Sequence, residues 1–314
     1  MEIDPENVRR MPGGSLLLNL PRQAWRVHPA ERVDLALGRM PVKDELHITL
    51  FNADVMAALV AKLGEDAVLA RARSQAWRPE RCGDGALIHD EEGDAARTSL
   101  VEWLRLDGFD ELRAGLARSA GIDIPRTRPH ITQYSSDPRG IGLADMETIR
   151  RRQLASFRWP GIAPRLPRTD ADEVRRGYED GCTLLPPDVA VEIGRREVRI
   201  DDWLQAHDAS AAFILTVADP LGEPACKAGN GVRWALLDDE LRRAGLRGIE
   251  VPGREDDDEP MRLSLCVPHV DETTIDRLLR DYEQLAAVRL ARGCAPALYL
   301  HPALREAGDE GGQG

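Results

Sequence analysis

Leu46-His47-Ile48-Thr49-Leu50-Phe51 decides how this chain is read, because it alternates without a fault. In an extended strand Leu46, Ile48 and Leu50 fall on one side, and His47, Thr49 and Phe51 on the other. Further along, Pro129-His130-Ile131-Thr132-Gln133-Tyr134-Ser135 repeats the His-Ile-Thr triplet in a second strand-like stretch. Each triplet presents an imidazole and a hydroxyl together, with an isoleucine behind them. The chain holds only 10 threonines and 7 histidines in 314 residues. Two His-x-Thr triplets would arise in roughly 2% of shuffled chains, so the repetition is informative despite its shortness.

Around these strands the pattern alternates between α and β. Residues 14–20, Gly-Ser-Leu-Leu-Leu-Asn-Leu, read as a buried strand, and 98–106 as another. Helical periods fit 53–64, stopped by Gly64, and 109–120, stopped near Gly121. From 189 onward a second pattern predicts strands over 211–218, 262–268 and 296–301. It predicts helices over 230–244 and 271–292, the latter capped by Asp271. The expected fold class is α+β, with a second, smaller α/β domain at the C-terminal end.

Composition narrows the function. A formal net charge of −12 argues against a duplex DNA partner and favours a nucleotide or a short RNA end. The five cysteines are scattered, with no Cys-x-x-Cys pair, which suits a reducing compartment. The first residues lack a basic start and an apolar signal stretch, and no run reaches the ~18 apolar residues of a membrane span. A cytoplasmic protein without a membrane partner is expected.

The His-Ile-Thr pair points to phosphodiester chemistry. An attacking oxygen must lose a proton and a leaving oxygen must gain one. Histidine, with a pKa of about 6.5, can do either near neutral pH. Threonine hydroxyls can bond the non-bridging oxygens, where transition-state charge accumulates. This scheme uses no metal, and the sequence has no His-Glu-x-x-His and no other metal-spaced cluster. Neither metal nor cofactor is expected. The acidic run 256–259 lacks a calcium-loop pattern and reads as a solvated loop.

On Leu46-His47-Ile48-Thr49-Leu50 and Pro129-His130-Ile131-Thr132, residues 12–136 resemble the 2H phosphoesterase superfamily. That superfamily includes RNA 2′,3′-cyclic phosphodiesterases and 2′-5′ RNA ligases. The resemblance implies a bilobal fold of two pseudo-symmetric α/β lobes, each lending one His-x-Thr strand to a central cleft. It implies His47 and His130 as the acid/base pair and Thr49 and Thr132 as phosphate binders. The residues after the second threonine, Gln133 and Tyr134, depart from the leucine usual there. Arg126, Arg128 and Tyr134 lie near the second motif and are candidate substrate contacts. The second half resembles an uncharacterised bacterial domain family on Phe213–Pro220, Asn230, Ser264–Val267 and Glu283–Ala286. Asn230, Ser264 and Gln284 there could line a polar pocket or serve as caps and core polar groups.

The expected organisation is therefore a catalytic domain over 1–136, an Arg- and Pro-rich linker or flap over 137–188, an α/β domain over 189–303 and a disordered tail over 304–314. Between Arg126 and Arg176 there are 11 arginines against 6 acidic residues. Such a segment is either a solvated linker or a cationic flap beside the second motif. The leading function is hydrolysis of a cyclic or 2′-5′ phosphodiester in a nucleotide or RNA end. The ligase direction uses the same pair in reverse. The alternative is a nucleotide-binding sensor without turnover, with the C-terminal domain as its output.

Overall fold

A computed structural model describes residues 1–91, 96–178, 182–252 and 263–310. The chain forms two compact units, Met1–Trp159 and Pro160–Gly314.

The N-terminal unit contains β1 (Val8–Arg10), β2 (Leu16–Leu20), α1 (Arg22–Trp25), β3 (Arg32–Leu35), β4 (Gly38–Pro41) and β5 (Leu46–Phe51). It continues with α2 (Ala53–Leu63), α3 (Glu65–Arg73), β6 (Pro79–Asp90), β7 (Arg97–Leu106), α4 (Phe109–Ala120), β8 (His130–Ser135), α5 (Met146–Arg152) and β9 (Gln153–Arg158). Seven strands make one sheet in the order β1-β2-β5-β8-β7-β6-β9, and the neighbours within it are antiparallel. The two His-Ile-Thr strands, β5 and β8, lie side by side within it. Leu46, Ile48, Leu50 and Ile131 are buried on the face covered by α2, α3 and α4, as the alternation predicts. On the other face Val101 and Trp103 pack against Ile141, Leu143 and Ile149. Asn52 caps α2, its Oδ1 accepting from the Val55 N–H at 2.9 Å. That cap turns the chain out of β5 directly into a helix.

The sheet does not end where the sequence suggested. β9 pairs with β6 along Asp84↔Arg158 to Ile88↔Gln153. Gly85 sits so close under this strand that a Cβ there would meet Phe157 and Trp159 at 2.6–2.9 Å. Residues 137–159 are therefore part of the first unit and not a linker or flap. Their arginines are engaged locally. Arg158 donates to Asp84 at 2.8 Å, and Arg152 lies 3.2 Å from Asp90, which is also paired with Arg97.

The C-terminal unit contains α6 (Ala171–Tyr178), β10 (Cys182–Leu185), β11 (Val189–Glu192), α7 (Val198–Ala206), β12 (Ala211–Thr216) and α8 (Lys227–Arg243). It continues with β13 (Ile249–Pro252), β14 (Leu263–Pro268), α9 (Glu272–Asp281), β15 (Ala286–Ala291), β16 (Ala297–Leu300) and α10 (Pro302–Glu310). Its five-stranded sheet runs β13-β14-β12-β15-β16. The two faces of β12 are both buried. Phe213 and Leu215 pack with α8 and α9, while Ala212 and Ile214 pack with α7 and the β10–β11 hairpin.

Several expectations are corrected here. The helix predicted over 271–292 ends at Asp281, and Glu283 adopts φ +50°, reversing the chain into β15. The unit begins at Pro160, not 189, and is comparable in length to the first. Residues 304–310 belong to α10. The acidic run 256–259 lies outside the described residues. Among the described residues no helix is long and apolar enough to cross a membrane.

Candidate active site

Ile48 pairs with Ile131 in the antiparallel contact of β5 with β8. Antiparallel register then places His47 across from Thr132 and Thr49 across from His130. The triplets are thus crossed, each imidazole facing the other strand's hydroxyl. All four side chains line one cavity of about 280 Å³.

The two histidines are held differently. The His130 ring lies 3.0 Å from the Arg128 carbonyl through Nδ1. A carbonyl only accepts, so Nδ1 carries the proton and the neutral ring keeps its lone pair at Nε2. The edge contact with Trp103, at 5.7 Å between centroids, steadies the same ring. Arg128 in turn stacks over Trp103 at 4.7 Å. Among the described residues His47 has no such anchor; its Nδ1 is buried without a hydrogen-bond partner there.

Both histidines titrate below the ordinary imidazole value. For His47 burial is the main cause, reinforced by repulsion from His130 and from Lys43 and opposed by Glu45. For His130 burial again dominates, opposed by the Arg128 carbonyl. Repulsion from His130 on His47 adds to the cost of protonating both rings at once.

A loop closes one wall. Residues 139–144 line the cavity, and Gly140 lies against Thr132, within 3.9 Å of its hydroxyl for a Cβ placed there. Three ties hold the loop. Thr127 Oγ1 donates to the Leu143 carbonyl at 3.1 Å, Arg152 to the Gly142 carbonyl at 2.7 Å, and Lys43 Nζ to the Pro138 carbonyl. Gly140 needs φ +72°, a backbone conformation that side-chained residues rarely adopt.

The structure brings His47, Thr49, His130 and Thr132 together, but it separates the other three candidates from the cavity. Tyr134 is fully buried, and its hydroxyl donates to the carbonyls of Ala30 at 3.0 Å and His28 at 3.2 Å. It is a core residue and not a substrate contact. Arg126 is exposed and does not line the cavity. Arg128 also stays outside it, placed 3.5 Å from Asp84 and over Trp103. The cavity instead takes Arg113 from α4 and Arg139 from the loop, neither singled out in the sequence. Arg113 follows the cavity-lining Phe109 by one helical turn, and that i, i+4 relation was the available signal.

In the C-terminal unit the polar residues Asn230 and Gln284 bind backbone. Asn230 accepts from the Asp219 N–H at 3.2 Å, and Gln284 donates to the Ala218 and Tyr282 carbonyls at 3.1 Å. Ser264 sits half-buried opposite Thr216 on the sheet. Among the described residues no group of three or more His, Cys, Asp or Glu gathers in a way that could hold a metal ion. Compared with protein-family models, curated proteins and solved structures, the chain matches none.

Proposed function

We propose that the N-terminal unit is a metal-independent phosphodiesterase of the 2H kind, acting on cyclic 2′,3′-type or 2′-5′ phosphodiesters of nucleotides or RNA ends. One observation carries this reading. The crossed triplets put two histidines and two threonines around a single cavity, from adjacent strands. The two triplet strands are neighbours at the middle of one continuous sheet, with β1-β2 beyond β5 and β7-β6-β9 beyond β8, and this supports reading the two sides as the lobes that the 2H resemblance implies.

The hydrogen bond of the His130 ring supports a division of roles. His130, with Nδ1–H on the Arg128 carbonyl, presents Nε2 as a base. It takes a proton from water as the water oxygen attacks phosphorus. The resulting imidazolium is stabilised by that same carbonyl. His47 delivers a proton to the ribose oxygen as its bond to phosphorus breaks. Burial and Lys43 disfavour a charged His47 in the empty site. A bound phosphate anion offsets both effects, so His47 acquires its proton alongside substrate. Thr49 and Thr132 donate to the non-bridging oxygens. The ligase direction is the reverse of these steps.

The test uses the purified protein with EDTA present and 2′,3′-cyclic nucleotides or 2′-5′ dinucleotides as substrates. His47→Ala and His130→Ala are each expected to lower turnover by about 10²–10⁴-fold. Turnover surviving either change would overturn the two-histidine mechanism. Loss of wild-type activity on adding EDTA would overturn metal independence. Tight binding without turnover would replace the enzyme by a nucleotide sensor.

A further inference from the structure

The cavity extends well past the histidines. β5 continues from Thr49 to Phe51 and Asn52, about 10 Å further at some 3.3 Å per residue. The segment preceding β8 runs alongside in the opposite direction, contributing Thr127, Pro125 and Ile124 to the wall. This far end is apolar, with Phe51, Val55, Phe109 and Ile124. The polar groups inserted among them are Asn52 and Arg113. The Asn52 Oδ1 already accepts from the Val55 N–H as the helix cap, which leaves its NH₂ for a ligand. Arg113 is fixed by Nη1 on the Ile124 carbonyl at 2.9 Å and Nε on Asp110 at 3.3 Å. Its side chain is only 13% exposed, and among the described residues the bonds it makes run through Nε and Nη1, which leaves Nη2 for a ligand. The far end therefore offers an apolar lining with two aromatic rings, Phe51 and Phe109, beside hydrogen-bond donors from Asn52 and Arg113.

Resting on the phosphodiesterase reading, we infer that this end is a nucleobase subsite, and that it selects a single nucleotide whose base presents acceptors, guanine being the best match. A base fills an apolar slot that a second phosphate would not. Arginine donates to the O6 and N7 acceptors of guanine, whereas adenine offers an amino donor at the equivalent position. The cavity of about 280 Å³ lies just under the range of roughly 300–1,000 Å³ that encloses a drug-sized ligand. It suits one nucleoside phosphate, and the second nucleotide of a 2′-5′ linkage would extend beyond it.

The experiment compares the four nucleoside 2′,3′-cyclic monophosphates and ribose 2′,3′-cyclic phosphate, which has no base. In parallel, guanosine and adenosine 2′-monophosphate are titrated calorimetrically into His47→Ala protein, where no turnover is needed. The guanosine compounds are expected to show the lowest KM and the tightest binding. Arg113→Gln is expected to raise KM for the guanosine substrate by about 10–100-fold, with little change in kcat or in the base-free substrate. Asn52→Ser keeps a helix-capping oxygen and removes the amide donors. It is expected to shrink the guanine preference without unfolding α2, which circular dichroism checks. Equal KM and equal binding across the bases would overturn the subsite while leaving the phosphodiesterase reading intact. So would a loss in Arg113→Gln that extends equally to the base-free substrate. Guanosine 2′-monophosphate binding together with no hydrolysis of guanosine 2′,3′-cyclic monophosphate by wild type would uphold the subsite and overturn the enzyme.

Discussion

Two polar clusters, one in each unit, use buried or half-buried polar side chains for opposite ends. Around β5 and β8, His47 Nδ1 has no partner among the described residues and His130 keeps Nε2 unengaged toward the cavity. In the C-terminal unit, Asn230, Arg233 and Gln284 are bound to the backbone of the turn that follows β12. Arg233 donates to the Val217 carbonyl at 2.8 Å and to the Tyr282 carbonyl, and it is almost fully buried. That turn carries Asp219 and Leu221 at positive φ, and Glu283 beside it does the same. Backbone held in such conformations needs its surroundings to fix it. Burial alone therefore does not mark a functional cluster. What marks it is hydrogen-bonding capacity left facing a cavity, whereas a scaffold cluster directs that capacity to carbonyls.

The comparison is broken most directly by changing the leaving group. A p-nitrophenyl leaving group departs without a proton, so it has no use for a general acid. On a nucleoside p-nitrophenyl phosphodiester, His47→Ala should recover most of the activity it loses on a cyclic nucleotide, a difference of about 10²-fold or more. His130→Ala should stay impaired on both substrates. Equal recovery in the two variants would reverse or remove the assigned roles. Neither substitution should lower the melting temperature much, because neither ring supports a buried backbone group beyond the single Arg128 carbonyl.

The C-terminal cluster should answer the other way. Arg233→Met leaves the Val217 and Tyr282 carbonyls without a charged donor inside the core. A cost of about 3 kcal/mol or more in that unit follows, from two lost bonds to a charged group. Chemical denaturation followed by fluorescence reads it, and phosphodiester turnover by the N-terminal unit should be unchanged. Loss of turnover with unchanged stability would mean that this cluster too belongs to a site.

Much of this contrast could be read in the sequence, and the part that could not has identifiable causes. The alternation of β5 is legible because Leu46, Ile48 and Leu50 are apolar and buried, and Ile131 of β8 joins them, although Gln133, next on that face of β8, is buried but polar. β6 escapes the same reading, because Cys82-Gly83-Asp84 interrupts its ladder between Arg81 and Gly85 and hides a long strand. The sequence 271–292 looks helical throughout, since Leu285, Ala286 and Ala287 continue the apolar period past the turn at Glu283. Nothing local announces that turn. It is held from a distance by Arg165, which donates to the Glu283 carboxylate at 2.9 Å. The arginines of the cavity were hidden for a similar reason. Arg113 and Arg139 acquire meaning only when α4 is brought to Phe51 at the end of β5 and the 139–144 loop to Thr132 of β8, whereas Arg126 and Arg128 are nearer to β8 in sequence.

The smallest expected effect is a difference in how acid acts on the two clusters. His301, buried between β16 and α10, accepts from the Ala303 N–H through Nδ1 at 3.1 Å. Burial, with Arg280 and Arg305 nearby, lowers its pKa to about 4, against a partial offset from Asp276. In the unfolded chain the same group titrates near 6.5. Below pH 6.5 the unfolded form therefore binds the proton first, and stability falls as pH drops toward 4, by on the order of 2 kcal/mol from this residue. His301→Asn keeps an acceptor for Ala303 and should flatten that part of the stability profile. His47 and His130 are lowered as well, but their titration is read in turnover. One ring must be protonated and the other neutral, so kcat/KM should peak on the acid side of 6.5 and decline toward neutral pH as the acid loses its proton. Removing the Lys43 charge relieves repulsion on His47 and should move the declining limb to higher pH. A limb that stays in place would show that Lys43 acts on the loop through the Pro138 carbonyl and not on the histidine.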